Sequence, residues 1–230
     1  MRLKDGASWR SISSLTPEEK GILTELIASR LGGTGATEVI AGLVGEVYTL
    51  SSEDAFTPLR DAREFGTLLN SCGRMGATGT GIAVCLGDRS DALKGALGIL
   101  AEYRSGIGKA LDALNSQPGR LVLRGRLLIV DGVGAVDENL LGPVISILTS
   151  SPANKDKVIV AMASSKGGAL KISCRLGDEY AGEVNLGQLM RSCAEEVGGT
   201  GGGHTMAAGA KIPGSAADAF FRAVEAKAGQ

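Results

Sequence analysis

The stretch GGTGGGHTMAAGA, from Gly198 to Ala210, concentrates the residue types that can hold an anion. Five of its first six residues are glycine, and it carries the only histidine of the chain, His204. Glycine reaches positive φ without strain and leaves room for a ligand or another backbone. Successive exposed amide groups then form a concave nest for an oxyanion, and His204 beside it can donate a hydrogen bond to phosphate. A flexible loop ahead of a strand is the plain alternative, and spacing alone leaves both open. The run lacks the GK[ST] of a P-loop. It also lacks the preceding strand that a dinucleotide fingerprint requires.

Three further sets bear on the same chemistry. In ISCRL, Ser173 and Arg175 fall on one face of an expected strand, and a guanidinium binds phosphate with two parallel hydrogen bonds. In NSCGRMG, Asn70 and Arg74 lie four apart on one face of an expected helix. A polar helix end stopped by Gly73 or Gly76 is equally consistent. Arg120, Arg124 and Arg126, with Lys155, Lys157, Lys166 and Lys171, can line a nucleic-acid track; a charged sheet edge that resists strand pairing is the favoured reading for most of the lysines. Metal-dependent phosphate hydrolysis needs several carboxylates and histidines on one or two ions. One histidine and no Asp-x-Asp pair do not meet that need, and Asp131 has no evident companion. A Ser-His-Asp arrangement on His204 lacks a nucleophile-elbow sequence. These residues describe a binding module with no catalytic residue, metal or cofactor of its own.

The composition fits that role. The 230 residues carry a formal net charge of −1, which excludes a chain coated in positive charge but not a local basic groove. Apolar residues make up 43% and aromatic residues 3%, so the core is expected to be aliphatic. Cys72, Cys85, Cys174 and Cys193 form no CxxC pair and read as buried reduced thiols in apolar runs. The N-terminus is polar, without a signal-peptide core, and no apolar run approaches the ~20 residues of a membrane helix. The expectation is a cytoplasmic protein without membrane contact.

The elements that must position these residues divide at NSQPGR. Residues 1–115 are expected to be a helical joining region ending in a long helix. After an extended start, Thr16, Pro17 and Glu19 predict a capped helix whose stripe is Ile22, Leu23, Leu26 and Ile27, with Gly32-Gly33 as its stop. Helices are expected at 37–50 and 59–73, and a short apolar element at 81–87. The long helix is expected from Ser90 to Asn115, with Leu93, Ala96, Leu97, Leu100, Ile107, Leu111 and Leu114 on one face, loosened at Gly106 and Gly108. Residues 120–230 alternate strands and helices. Strands are expected at 120–132, with Arg124 and Arg126 on one face, at 157–164, at 169–176 and at 204–213. Helices are expected at 136–151, at 186–197 with Leu186, Leu189, Met190 and Cys193 inward, and at 215–228. The class is α/β (α+β): a helical region followed by a mixed sheet with flanking helices.

GGGHTMAAGA (201–210) resembles the GGGHxxAAGA signature of the domain that follows the catalytic half of DHH phosphoesterases. KISCR (171–175) resembles that domain's strand with its Ser-x-Arg element. TPLRDAREFGTLLNSCGRMGATGTGIAVCLGD (57–88) is similar to the segment joining the two halves in archaeal RecJ-like proteins, including the GINS-associated nuclease. The resemblance covers most of the chain, more loosely over residues 1–50. It implies that Gly201, Gly202, Gly203 and His204 contact phosphate, that Arg175 binds an oxyanion with Ser173 in support, and that Asn70 and Arg74 face the cleft between the halves. The catalytic half with its Asp-rich and Asp-His-His motifs is absent, and the Met start favours a short natural relative.

The resemblance then implies a non-catalytic replication factor that contacts single-stranded DNA and associates with GINS and the MCM helicase. The competing expectation is the substrate-binding half of a metal-dependent single-strand exonuclease. A sensor of a small phosphorylated ligand is the third.

Overall fold

The computed structural model describes residues 4–5, 8–9, 12, 15–31, 45–54 and 57–228. The chain divides into two compact units, Met1–Leu97 and Gly98–Gln230, and the break falls within the long helix.

The first unit starts with a two-residue ladder, β1 (Lys4–Asp5) against β2 (Ser8–Trp9). Helix α1 (Pro17–Leu31) opens with the expected capping box. The Thr16 amide donates to Glu19 Oε2 at 3.0 Å, and the Glu19 amide donates to Thr16 Oγ1 at 3.2 Å. Leu23 and Ile27 are half-buried, whereas Ile22 and Leu26 remain exposed. The Gly32-Gly33 stop and residues 37–44 of the next expected helix lie outside the described residues. Residues 45–50 are not helical: Thr49 bridges Asp61.

Asp61 caps α2 (Ala62–Arg74), accepting from the amides of Arg63 and Glu64 at 2.8 and 3.2 Å. The apolar element at 81–87 is the end of a helix, α3 (Thr78–Cys85), entered through the positive-φ turn at Gly76. Glu53 is held by Arg89, whose Nε and Nη2 donate to its two carboxylate oxygens at 2.9 and 2.5 Å.

The long helix α4 (Asp91–Ser116) runs unbroken through Gly106 and Gly108. Its buried positions are Leu93, Ala96, Leu100, Tyr103, Ala110 and Leu114. They alternate between steps of three and four, apart from the half-buried Ile107 between them. Leu97, expected on that face, is exposed. Gly106 has a reason to be glycine: a Cβ there would come within 2.7 Å of Leu140 Cδ1.

The second unit is built on a six-stranded mixed sheet in the order β3-β4-β5-β6-β8-β7. The strands are β3 (Leu121–Arg124), β4 (Leu127–Asp131), β5 (Val158–Ser164), β6 (Ala169–Leu176), β7 (Thr200–Gly203) and β8 (Ala207–Pro213). Only β4 and β5 are parallel, with α5 (Leu141–Thr149) in the connection between them. This helix starts later than expected, because Gly142-Pro143 occupy its first turn, where the missing proline amide costs nothing.

The expected strand at 120–132 is a hairpin. Arg124 pairs with Leu127, so Gly125-Arg126 is the two-residue loop, with Gly125 at φ 59°. Arg126 therefore sits in the turn and shares no strand face with Arg124.

One sheet face carries Ile129, Val160, Ile172, Cys174, Ala210 and Ile212. It is covered by α6 (Leu186–Glu196) and α7 (Ala217–Ala228) through Met190, Cys193, Phe220 and Val224, all buried. The Phe220 and Phe221 rings meet edge to face at 5.5 Å. Removing one such aromatic side chain costs about 3–5 kcal/mol. On the opposite face α5 packs over β5 and β6 through Val144, Ile145 and Leu148.

Candidate phosphate-binding site

β6 alternates strictly. Leu170, Ile172, Cys174 and Leu176 are buried in the core, so Lys171, Ser173 and Arg175 must lie on the other face. The expected pairing of Ser173 with Arg175 on one face is what the structure shows. Burial pushes the Cys174 thiol well above its ordinary value.

The glycine run differs from the concave nest described above. Thr200–Gly203 is an edge strand, β7, paired antiparallel with β8. Its glycines serve two faces. A Cβ on Gly201 would lie 2.4 Å from the Met190 carbonyl oxygen, and one on Gly187 would lie 2.5 Å from the Gly203 carbonyl oxygen. Helix α6 therefore approaches β7 backbone to backbone. The absence of side chains on these residues is a packing requirement.

Gly202 faces the other way. Ser173 is the register partner of Gly209, and Gly209 is the partner of Gly202. The three residues form a row of bare backbone and one hydroxyl across β6, β8 and β7. Arg175, opposite Ala207, stands at one side of this row; Lys171, opposite Lys211, stands at the other. Gly202 Cα is also bordered by Arg191, whose Nη2 would lie 3.9 Å from a Cβ placed there.

Arg175 is the residue whose environment most calls for a ligand. Its Nε is buried and has no hydrogen-bond partner among the described residues. Leaving such a donor unsatisfied costs about 1–3 kcal/mol. His204 is exposed in the turn joining β7 to β8. Its amide donates to the Ala207 carbonyl at 2.8 Å, and the next carbonyl, Thr205, accepts from the first amide of α6 at 3.1 Å. The turn is thus tied to the helix, and the imidazole is free to reach outward.

Ser173, Arg175, Gly201, Gly202, Gly203 and His204 all belong to the second unit. Asn70 and Arg74 belong to the first, on the last turn of α2, where Arg74 Nε donates to Asn70 Oδ1 at 3.3 Å. The basic set is largely engaged locally. Arg120 donates to the carbonyls of Asp131 and Val133, Arg124 pairs with Glu225 at 2.5 Å, and Lys155 pairs with Glu179 at 2.9 Å. Lys157 pairs with Asp156 at 3.2 Å. Lys211 and Arg191 were not singled out from the sequence; register alone reveals the first, and the close approach of α6 the second.

Among the described residues no three His, Cys, Asp or Glu side chains gather to hold a metal ion. No described helix is long and apolar enough to cross a membrane.

A mixed sheet with helices on both faces defines an α/β architecture, and its β6–β8–β7 face carries a bare-backbone row flanked by cations. Residues 128–230 match the model of the DHHA1 domain. The C-terminal part of this chain is a DHHA1 domain, the DHH-associated half of the DHH superfamily. An uncharacterized protein of Methanocaldococcus jannaschii is 28% identical over 168 residues, covering 73% of this chain and 35% of that protein. The structure of RecJ from Thermus thermophilus in complex with Mg2+ superposes with a TM-score of 0.56 at 20% identity, covering 89% of this chain and 28% of RecJ. A structure of exonuclease RecJ bound to manganese gives a TM-score of 0.52 at 20% identity, covering 93% of this chain and 47% of that one. The chain thus spans about a third of the length of the curated relative it matches.

Proposed function

We propose that this protein binds the phosphates of single-stranded nucleic acid on the sheet face formed by β6, β8 and β7, without cleaving them. The observation that carries the reading is the buried, unpartnered Nε of Arg175 beside the Ser173–Gly209–Gly202 row. Bare backbone lets a phosphate approach the strands closely. Arg175 supplies charge and paired donors, Ser173 a hydroxyl, and His204 a donor from the turn. Gly201 and Gly203 hold the strand against α6, so they shape the site from behind. Asn70 and Arg74, on the first unit, are a candidate nucleic-acid contact of their own.

The likeness to exonuclease RecJ supports nucleic acid as the ligand, and the motif resemblance adds the single strand. The motif resemblance also extends the proposal to a replication setting, with GINS and the MCM helicase as partners. The test of binding is fluorescence anisotropy of a 5′-labelled oligothymidylate with the full chain. Arg175→Ala and His204→Ala are expected to weaken binding; unchanged affinity in both removes the site. The test of the non-catalytic role is incubation of the same oligonucleotide with Mn2+, where the strand is expected to stay intact and shortening rejects the role. Recovery of GINS or MCM subunits with the chain from a native extract tests the partners.

The second reading is the substrate-binding half of a metal-dependent single-strand exonuclease. It is favoured by the small share of RecJ and of the Methanocaldococcus protein that this chain spans. A separate phosphoesterase subunit in the same extract would select it.

A further inference from the structure

Lys171 and Lys211 are direct register partners across β6 and β8. Residues so paired hold their Cβ atoms about 4.5–5.5 Å apart, and two like charges there work against the sheet. Among the described residues neither ammonium group has a hydrogen bond or an ion pair. Thr200, the β7 partner of Lys211, completes the row. The row lines a cavity of about 500 Å³ that Glu138 and Ser165 also line. The one carboxylate in that lining, Glu138, accepts at Oε2 from Ser165 Oγ at 2.5 Å, a hydrogen bond from a neutral hydroxyl that leaves its charge in place. Among the described residues two cations are thus held together beside a single carboxylate, Glu138, and neither makes an ion pair with it.

The position of the pair gives it a role. Lys171 and Lys211 are two residues along their strands from Ser173 and Gly209, in one direction on each strand. Two residues of strand are about 7 Å, close to the separation of consecutive phosphates along an extended single strand. We propose that the Lys171–Lys211 pair is a second phosphate subsite, one nucleotide along from the Ser173–Gly209–Gly202 row, so that the ligand is a run of at least two nucleotides instead of a mononucleotide. The pair neutralises the second phosphate, and Thr200 offers it a hydroxyl. This inference rests on the reading of the first row as a phosphate site.

The test compares thymidine 5′-monophosphate with the 5′-phosphorylated dithymidylate by calorimetric titration of the full chain at low salt. Wild type is expected to bind the dinucleotide at least about tenfold more tightly, the gain of hydrogen bonds to one more charged group. In Lys171→Gln/Lys211→Gln that advantage, read as the ratio of the two affinities in the same protein, is expected to fall below about threefold. A full advantage retained in the double variant overturns the subsite. Arg175→Ala separates this from the parent reading. If it abolishes mononucleotide binding while the lysine variant keeps the dinucleotide advantage, only the second subsite fails. If wild type binds neither ligand, both fail. Thermal melting controls for folding: removing a like-charge pair is expected to leave the melting temperature equal or higher, so lost binding with a lowered melting temperature counts against the subsite.

Discussion

Gly201 on β7 lies directly beneath Met190 on α6: a Cβ on the glycine would stand 2.4 Å from the methionine's carbonyl oxygen. No rotamer change relieves that contact, because the obstacle is backbone. Gly201→Ala is therefore expected to force helix and strand apart and to cost about 1–3 kcal/mol, read as a lower denaturant midpoint with an unchanged slope. Wild-type stability in this variant would show that helix and strand are not so close.

Arg175 sets stability against binding. Its buried Nε lacks a partner, and methionine fills similar space without a polar atom. Arg175→Met is expected to raise stability by up to about 1 kcal/mol while weakening oligonucleotide binding. A purely structural arginine would instead lose stability on this change. Chemical denaturation of the free proteins decides the sign.

Glu53 makes the first unit sensitive to acid. The hydrogen bonds from Arg89 hold its carboxyl below the ordinary carboxylate value. A lowered native pKa gives stability that is present above the unfolded value and is lost as pH falls through the folded one. Glu53→Gln is expected to melt below wild type at neutral pH, with the gap closing in acid. A gap constant with pH would show that the pair contributes by packing alone.

The cysteines differ in exposure. Cys72, Cys174 and Cys193 are buried, and burial raises each thiol above its ordinary value; Cys85 is exposed. A thiol reagent is expected to modify Cys85 in the native protein, and all four cysteines only in denaturant. Rapid native labelling of Cys174 would contradict the packing of β6 against α6 and α7.

The elements with strong local signals were legible in the sequence. The Thr16–Glu19 capping box, the alternation of β6 and the inward face of α6 all rest on side chains close together in the chain. The second sheet edge was not legible, because a strand of Thr-Gly-Gly-Gly has no side-chain periodicity to read. The hairpin at Gly125 was hidden by unbroken aliphatic content on both sides of a two-residue turn. Tyr103 and Ala110 escaped notice on α4 because one is amphipathic and the other small. At the site, Ser173 and Arg175 follow from the two-residue period. The juxtaposition of Lys171 with Lys211 depends on the register between strands 40 residues apart, which no local pattern carries.

The central claim is that the β6–β8–β7 face grips phosphate through Arg175 and its neighbours. It is tested most directly by measuring the affinity of wild type and Arg175→Met for one oligothymidylate over a range of salt concentrations. A phosphate-gripping face predicts a linear fall of log affinity with log salt, about 0.7 per neutralised phosphate, shallower by about one such increment in the variant. A flat response, or superposable lines for the two proteins, would contradict it.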